Sequence, residues 1–273
     1  MTINCHGKLV DLSSPKVMGI LNITPDSFFD GGKYNNEADI LHQVEKMLSE
    51  GATFIDVGAY SSRPGAKHIS EEEELQRIVP IIKLLLSHFP DIIISVDTFR
   101  SYVAKQTIKA GAAIINDISG GKMDSEMFKT VAELQVPYII MHMLGTPQNM
   151  QENPQYEDVT KDVISFFAKQ IFKLHQLKIN DIIIDVGFGF GKTIEHNYEL
   201  LKNLSLYKNL DAPILAGISR KSMLYKPLEI TPQSALNATT SANTIALLNG
   251  ANILRVHDVK EAIQAIKIVE QLS

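Results

Sequence analysis

The sequence predicts a single (β/α)8 barrel, and two observations lead to that prediction. Eight short apolar runs, rich in β-branched residues, recur along the 273-residue chain. Continuous apolar runs are typical of parallel strands that are buried on both faces. Between the runs lie segments with helical spacing, and strands that alternate with helices form either a closed barrel or a doubly wound open sheet. The chain length favours the barrel, and the open sheet is the alternative.

Residues 1–16 precede the first run. Ile3, Cys5, Leu9 and Val10 flank a His-Gly-Lys turn, which predicts a small hairpin that would close the bottom of the barrel. The predicted strands follow at residues 17–21, 54–57, 92–96, 113–115, 138–141, 182–186, 214–216 and 253–256.

Apolar stripes mark the helices between the strands, at residues 40–48, 78–85, 131–134, 163–174, 235–248 and 259–269. The second stripe follows the acidic residues Glu71 to Glu74, which suit a helix N-terminus. No linker rich in proline, glycine or serine divides the chain. We therefore expect one domain over residues 1–273.

Composition excludes several classes of function. The net charge of −5 and the absence of a basic block argue against nucleic-acid binding. The single cysteine, Cys5, rules out an intramolecular disulfide. No apolar run reaches the roughly 20 residues that span a bilayer, and the N-terminus has no secretory pattern. We expect a soluble cytoplasmic protein without a nucleic-acid or membrane partner.

Polar side chains stand at the end of nearly every predicted strand, where (β/α)8 barrels carry their active sites. Each one alone is explained by a helix cap or a structural hydrogen bond, but the set is not. The set comprises Asn22, Asp56, Asp97, Asn116, Asp117, Met141 with His142, Asp185, Ser219, Lys221, Ser222, Arg255 and His257.

The chemistry of these residues divides in two. Asp97, Asn116 and Asp185 can read a fused heterocycle that carries N–H donors and a carbonyl, and Lys221 can donate to a ring acceptor. The second group supplies donors for a phosphate: Asn22, Ser61, Ser62, Arg63, Arg255 and His257. A dianionic leaving group normally brings Mg²⁺, which uses few protein ligands.

Two other sites are excluded by spacing. The loop at residues 187–193 resembles a nucleotide loop, but Val186 stands where the Walker pattern needs glycine, and Lys192 replaces the third glycine of the dinucleotide pattern. We predict a tight strand-to-helix turn with Phe188 or Phe190 facing the site. The histidines lack zinc spacing, and His142 is either functional or a structural hydrogen-bond partner.

Motifs in order along almost the whole chain resemble those of the bacterial dihydropteroate synthases. They are NITPDSF at 22–28 with DGG at 30–32, DVG at 56–58 with SSRPG at 61–65, SVDT at 95–98, ND at 116–117, HMLGTP at 142–147, DVGFGFGK at 185–192, SRKS at 219–222 and RVHD at 255–258. Two positions depart from the family pattern. Ser62 stands where threonine is expected, and Ala59-Tyr60 stands where many members have Gly-Glu.

The resemblance implies a family whose members are the target of sulfonamides and are usually homodimers. They join 4-aminobenzoate to 6-hydroxymethyl-7,8-dihydropterin pyrophosphate, release pyrophosphate and make dihydropteroate in folate synthesis. It implies a catalytic set of Asp97, Asp185, Lys221, Arg255 and Asn22, with Asn22 also the Mg²⁺ ligand. It implies pterin contacts from Asp97, Asn116, Asp185, Lys221, Met141, Phe190 and Gly217. Pyrophosphate contacts would come from Asn22, Ser61, Ser62, Arg63, Arg255 and His257. Aminobenzoate contacts would come from Ser62, Arg63, Pro64, Phe28, Phe190, Lys221 and Ser222.

Two rival functions share this fold. Corrinoid-dependent methyltransferases use a similar pterin barrel, but that function gives no reason for the SSRPG loop, Lys221 and the Arg255–His257 pair. A pterin-binding paralogue without catalysis would lose loop residues first, and residues 22–32 and 61–65 retain them.

Overall fold

The computed structural model describes residues 1–23, 37–61, 68–150 and 152–272, and within them eight parallel strands close into a barrel. An antiparallel hairpin of β1 and β2 precedes the barrel. The (β/α)8 prediction is therefore confirmed, and the open sheet is excluded. The strands are β1 (Thr2–Cys5), β2 (Lys8–Asp11), β3 (Lys16–Asn22), β4 (Phe54–Gly58), β5 (Ile94–Asp97), β6 (Ile114–Asp117), β7 (Tyr138–Met141), β8 (Ile182–Asp185), β9 (Ile214–Ala216) and β10 (Ile253–Val256).

Helices cover the outside of the barrel. They are α1 (Glu37–Ser49), α2 (Glu71–His88), α3 (Ser101–Lys109), α4 (Met127–Leu134), α5 (Val159–Gln176), α6 (Ile194–Lys202), α7 (Ser222–Tyr225), α8 (Leu236–Leu248) and α9 (Val259–Val269). Short 3-10 helices follow α6 at Leu204–Leu210 and α9 at Glu270–Leu272. None of the helices in the described ranges has the length and apolarity to cross a bilayer.

The hairpin closes the bottom of the barrel, as predicted. Ile3, Cys5 and Val10 are buried in one cluster with the inward-facing residues at the start of the barrel strands. The His6 ring nitrogen lies 2.6 Å from the carbonyl of Ala112, which fixes the hairpin turn to the barrel. With this end filled, the opposite end is left as the place for a site.

A buried ion pair ties α2 to the segment after β5. Glu74 is fully buried and accepts hydrogen bonds from Thr98 Oγ1 at 2.7 Å and from Arg100 Nη1 at 2.5 Å. Arg100 also donates to the carbonyl of Ile69 at 2.7 Å. Four groups are therefore satisfied inside one small network.

Replacing Glu74 with alanine is expected to lower the free energy of unfolding by about 3–5 kcal/mol, because it leaves the Arg100 charge buried and unpaired. Urea denaturation measures the change. The neighbouring Glu73→Ala is the matched control, since its pair with Arg77 is partly exposed at the same 2.5 Å distance. We expect that control to cost less than about 1 kcal/mol. Equal losses in the two variants would contradict the assignment of a buried pair.

Candidate active site

One arginine lies between two carboxylates at the open end of the barrel. Arg255 on β10 donates through Nε to Asp56 Oδ2 at 2.7 Å and through Nη2 to Asp97 Oδ2 at 3.2 Å. Asn116 at the end of β6 donates through Nδ2 to the same Asp56 oxygen at 3.0 Å. Side chains from β4, β5, β6 and β10 thus form one connected polar network, which we call the mouth network. Its members are Asp56, Asp97, Asn116 and Arg255.

Burial has the largest effect on the pKa of Asp97 and raises it, the Arg255 charge opposes this rise, and the neighbouring Asp56 charge adds to it. Together these effects raise the pKa of Asp97 to about 7. The charged form of Asp97 is therefore disfavoured in the folded ligand-free protein. A carboxyl whose pKa is raised by folding contributes its full stability below its unfolded pKa, and that stability is lost as the pH rises through the folded value. Here the window extends from about pH 4 to about pH 7.

Asp97→Asn is accordingly expected to be more stable than the original chain at pH 8, by on the order of 2–4 kcal/mol, and to show little gain at pH 4. Urea denaturation at the two pH values measures this difference. The exposed Asp91→Asn on the preceding loop serves as the control and should show no such pH dependence. A gain that is the same at both pH values would contradict the raised pKa.

A second group lies across the mouth on β8 and the loop after it. Asp185 is 5% exposed, and its Oδ1 accepts from the backbone N–H of Gly187 at 2.8 Å. Its Oδ2 lies 3.5 Å from the position that a Cβ on Gly217 would occupy, so Gly217 borders the carboxylate. Burial raises the pKa of Asp185, and the Lys221 charge opposes that effect.

Lys221 extends from the segment after β9 toward the same loop. Its Nζ donates to the carbonyl of Phe188 and lies 4.8 Å from the centre of the Phe190 ring, a cation–π contact. Burial lowers the pKa of Lys221 to about 8, against the opposing charge of Asp185. The arrangement gives one acceptor, one cationic donor and an aromatic face around a common space.

The loop between β8 and α6 is held by a lysine that points into the protein. Lys192 Nζ lies 3.0 Å from His142 Nδ1, 3.1 Å from the His142 carbonyl, and 3.0 Å from the carbonyls of Gly187 and Phe190. Gly187 has a positive φ of 70°, and a Cβ there would lie 2.0 Å from the His142 carbonyl, so only glycine fits. The tight turn is confirmed, and His142 acts as a structural hydrogen-bond partner.

His257 at the end of β10 is fixed by Ser219. Ser219 Oγ lies 3.0 Å from His257 Nδ1 and accepts the backbone N–H of His257 at 3.3 Å. Next to Ser219, Arg220 makes two 2.8 Å bonds to the two oxygens of Asp258. Arg220 is thus a structural residue that fixes the segment after β9. Lys221 follows in this segment, immediately before α7 begins at Ser222.

The chain matches the family model described as pterin binding enzyme over residues 18–257. It is 43% identical to the dihydropteroate synthase of Escherichia coli (strain K12), over 99% of this chain and 96% of that protein. The chain belongs to the dihydropteroate synthases. Their solved structures agree: a Yersinia pestis dihydropteroate synthase in a sulfonamide drug complex has a TM-score of 0.95 at 44% identity, covering 100% of this chain and 99% of its own. A Xanthomonas albilineans dihydropteroate synthase with 4-aminobenzoic acid has a TM-score of 0.91 at 35% identity, covering 99% and 97%.

The barrel mouth brings together most of the residues that the sequence indicates. Met141 and Phe190 belong to an apolar cluster near the mouth. In the strand register, Gly58 lies between Asn22 on one neighbouring strand and Asp97 on the other. The roles of these residues toward ligands stay predictions. Residues 24–36 and 62–67 lie outside the described part of the chain. The predictions for Phe28, Ser62, Arg63 and Pro64 therefore fall outside it as well. Ser61 is the last described residue before the gap at 62–67.

Two features of the site were not predicted. Asp56 was recognised as a strand-end acid but not as the centre of the mouth network, because its partner Arg255 lies 199 residues away in the sequence. Tyr60, a departure from the family pattern, contacts His68 Nδ1 through its hydroxyl at 3.1 Å and accepts from Gln148 Nε2 at 3.2 Å. The tyrosine thus links the segments on both sides of residues 62–67 to the loop after β7.

Proposed function

We propose that the chain joins 6-hydroxymethyl-7,8-dihydropterin pyrophosphate to 4-aminobenzoate, forming 7,8-dihydropteroate and pyrophosphate. The observation that carries this proposal is that two sets of polar side chains face each other at the barrel mouth of a chain so similar to dihydropteroate synthases. Asp97 and Asn116 on one side and Asp185 with Lys221 on the other can bind the donor and acceptor edges of a pterin.

The charged form of the pterin ring is favoured by this environment. When the bond between the methylene carbon and the pyrophosphate oxygen breaks, its electron pair leaves with the oxygen and positive charge develops on the pterin. In their ionised forms Asp97 and Asp185 stabilise that charge more strongly than water would, because the site is largely buried. The aminobenzoate nitrogen then donates its lone pair to the methylene carbon and loses a proton to solvent. An aromatic amine is neutral at pH 7, so no strong base is needed.

The departing pyrophosphate is expected to meet Arg255, His257 and Asn22. Arg255 keeps its Nε and one Nη2 hydrogen on Asp56 and Asp97, which leaves Nη1 for an anion. Ser219 holds His257 at the same rim.

We also propose that Mg²⁺ accompanies the pyrophosphate, with Asn22 as the protein ligand. Among the described residues, no group of three or more His, Cys, Asp or Glu side chains could hold a metal ion. Mg²⁺ does not need such a group, because it keeps several waters and binds through one or two side chains plus substrate phosphates. The Asn22 Oδ1 lies 3.4 Å from where a Cβ on Gly58 would stand, so the glycine leaves the amide oxygen uncovered on that side. When bound, the ion would neutralise charge on the leaving group.

A homodimer is proposed as the working form. Exposed apolar side chains support this proposal, because Ile245 and Leu248 on α8 and Ile268 on α9 are 45%, 54% and 65% exposed on two helices that pack together. Sedimentation velocity tests it, and a monomer at micromolar concentration would contradict it.

A coupled assay tests the reaction. The dihydropterin pyrophosphate, 4-aminobenzoate and Mg²⁺ are supplied together, and dihydropteroate and pyrophosphate are both measured. Turnover that requires all three supports the proposal. Tight pterin binding without pyrophosphate release would instead indicate a binding paralogue, and turnover without a pyrophosphate ester would favour the methyltransferase alternative.

A further inference from the structure

Asp56 lies beneath the polar groups of the mouth and is completely buried. One of its oxygens, Oδ2, accepts both the Arg255 Nε–H and the Asn116 Nδ2–H, at 2.7 and 3.0 Å. The same carboxylate thus fixes two side chains that come from strands on opposite sides of β4.

The position is a poor one for a carboxylate if stability is the only criterion. Within the described part of the chain, Asp56 Oδ1 is buried without a hydrogen-bond partner, and so is the hydroxyl of Ser95, its register neighbour on β5. Its register neighbour on the other side is the apolar Ile20. A buried carboxylate oxygen without a partner costs free energy, so a function other than packing explains why an acid stands here.

The hydrogen bond to Asp56 determines which way the Asn116 amide faces. A carboxylate oxygen can only accept, so the NH₂ group of Asn116 must be directed at it. The carbonyl Oδ1 of Asn116 is then turned away from Asp56, and no described residue donates to it. Without Asp56 the amide could rotate by half a turn and present its donors in place of its acceptor.

The bond to Arg255 has a similar effect. Because Nε is bound to Asp56 and Nη2 to Asp97, the plane of the guanidinium is fixed by two strands. Among the described residues, none accepts from Nη1. The one carboxylate therefore orients both an acceptor and a donor toward the space above it.

We infer that Asp56 is a positioning residue that holds the Asn116 carbonyl toward an N–H of the pterin and the Arg255 guanidinium toward the same bound substrate. This inference rests on the proposed function. It gives the pterin ring a fixed direction, with an N–H edge on the β6 side of the mouth. A ring that carries an unprotonated acceptor at that edge should bind poorly.

A double-mutant cycle tests the inference by calorimetry with 6-hydroxymethyl-7,8-dihydropterin, which binds without turnover. Asp56→Ala is expected to raise the dissociation constant at least about tenfold in the original chain. In the Asn116→Ala background the same change should raise it less than about threefold, because the amide it orients is gone. In Asp56→Asn, the asparagine Oδ1 can accept both hydrogen bonds, from Asn116 and from Arg255, so this variant should weaken binding less than Asp56→Ala. It also keeps the test usable if the alanine variant fails to fold.

The matched control is Asp181→Asn, because Asp181 precedes β8 at the opposite end of the barrel and its carboxylate accepts from the Asn4 backbone N–H at 3.0 Å. It should leave the dissociation constant unchanged. Equal losses from Asp56→Ala in both backgrounds, or an unchanged dissociation constant in a folded variant, would overturn the inference. If the original chain itself does not bind the pterin, the proposed function fails rather than the role of Asp56.

Discussion

Asp185→Asn is expected to weaken pterin binding by about 100-fold, roughly 2.7 kcal/mol. The reason lies in the Gly187 backbone N–H, which donates to Asp185 Oδ1 at 2.8 Å. An asparagine must keep its carbonyl oxygen on that N–H, so its NH₂ group has to take the place of Oδ2. The ligand would then meet a donor where it now meets an acceptor, and the negative charge opposite Lys221 would be lost as well.

Isothermal calorimetry with the dihydropterin measures the change. Asp181→Asn is the matched control, because Asp181 precedes the same strand at the opposite end of the barrel and accepts from the Asn4 backbone. We expect Asp181→Asn to leave the dissociation constant unchanged. A folded Asp185→Asn that binds the pterin as tightly as the original chain would exclude Asp185 as a pterin ligand.

The barrel could be predicted from the sequence because the eight barrel strands are buried on both faces along most of their length. Such strands appear as apolar runs, and all eight predicted runs overlap an observed strand, as the run at 92–96 overlaps β5. The apolar stripes do not indicate α3, α6 or the one-turn helix α7. The buried face of α3 includes Ala104 and Thr107, and that of α6 includes Asn197, so neither gives a clear apolar stripe.

The site could be predicted only in part. The end of a strand can be recognised from neighbouring residues in the sequence, but the pairing of side chains from distant strands cannot. Asp97, Asp185 and Arg255 are recognisable as polar residues at the ends of apolar runs. That Arg255 pairs with Asp56, and that Lys192 turns inward to His142, depends on barrel closure and loop geometry. Spacing excluded a nucleotide loop around Lys192, but only the fold shows what that lysine binds.

Lys221→Ala is expected to lower kcat/KM for the pterin substrate by about 100- to 1,000-fold, the usual effect of removing a donor from a preorganised site. Its Nζ is held by the Phe188 carbonyl and the Phe190 ring, so the ammonium is already in place before the substrate binds. The exposed Lys226→Ala, a few residues further along, is the matched control and should keep full activity. Activity of Lys221→Ala within a few-fold of the original chain would contradict its role.

The pH dependence of the same variant series gives an independent test of Lys221. Its pKa is lowered to about 8, so the ammonium form is lost as the pH rises through that value. Asp97 has a pKa of about 7 and gains its charge as the pH rises through 7. If both charged forms are needed, kcat/KM, which reports the ligand-free protein, should rise near pH 7 and fall above pH 8. An arginine keeps its charge at all these pH values, so any activity left in Lys221→Arg should lack the alkaline fall. An unchanged alkaline limb in that variant would assign the limb to another group.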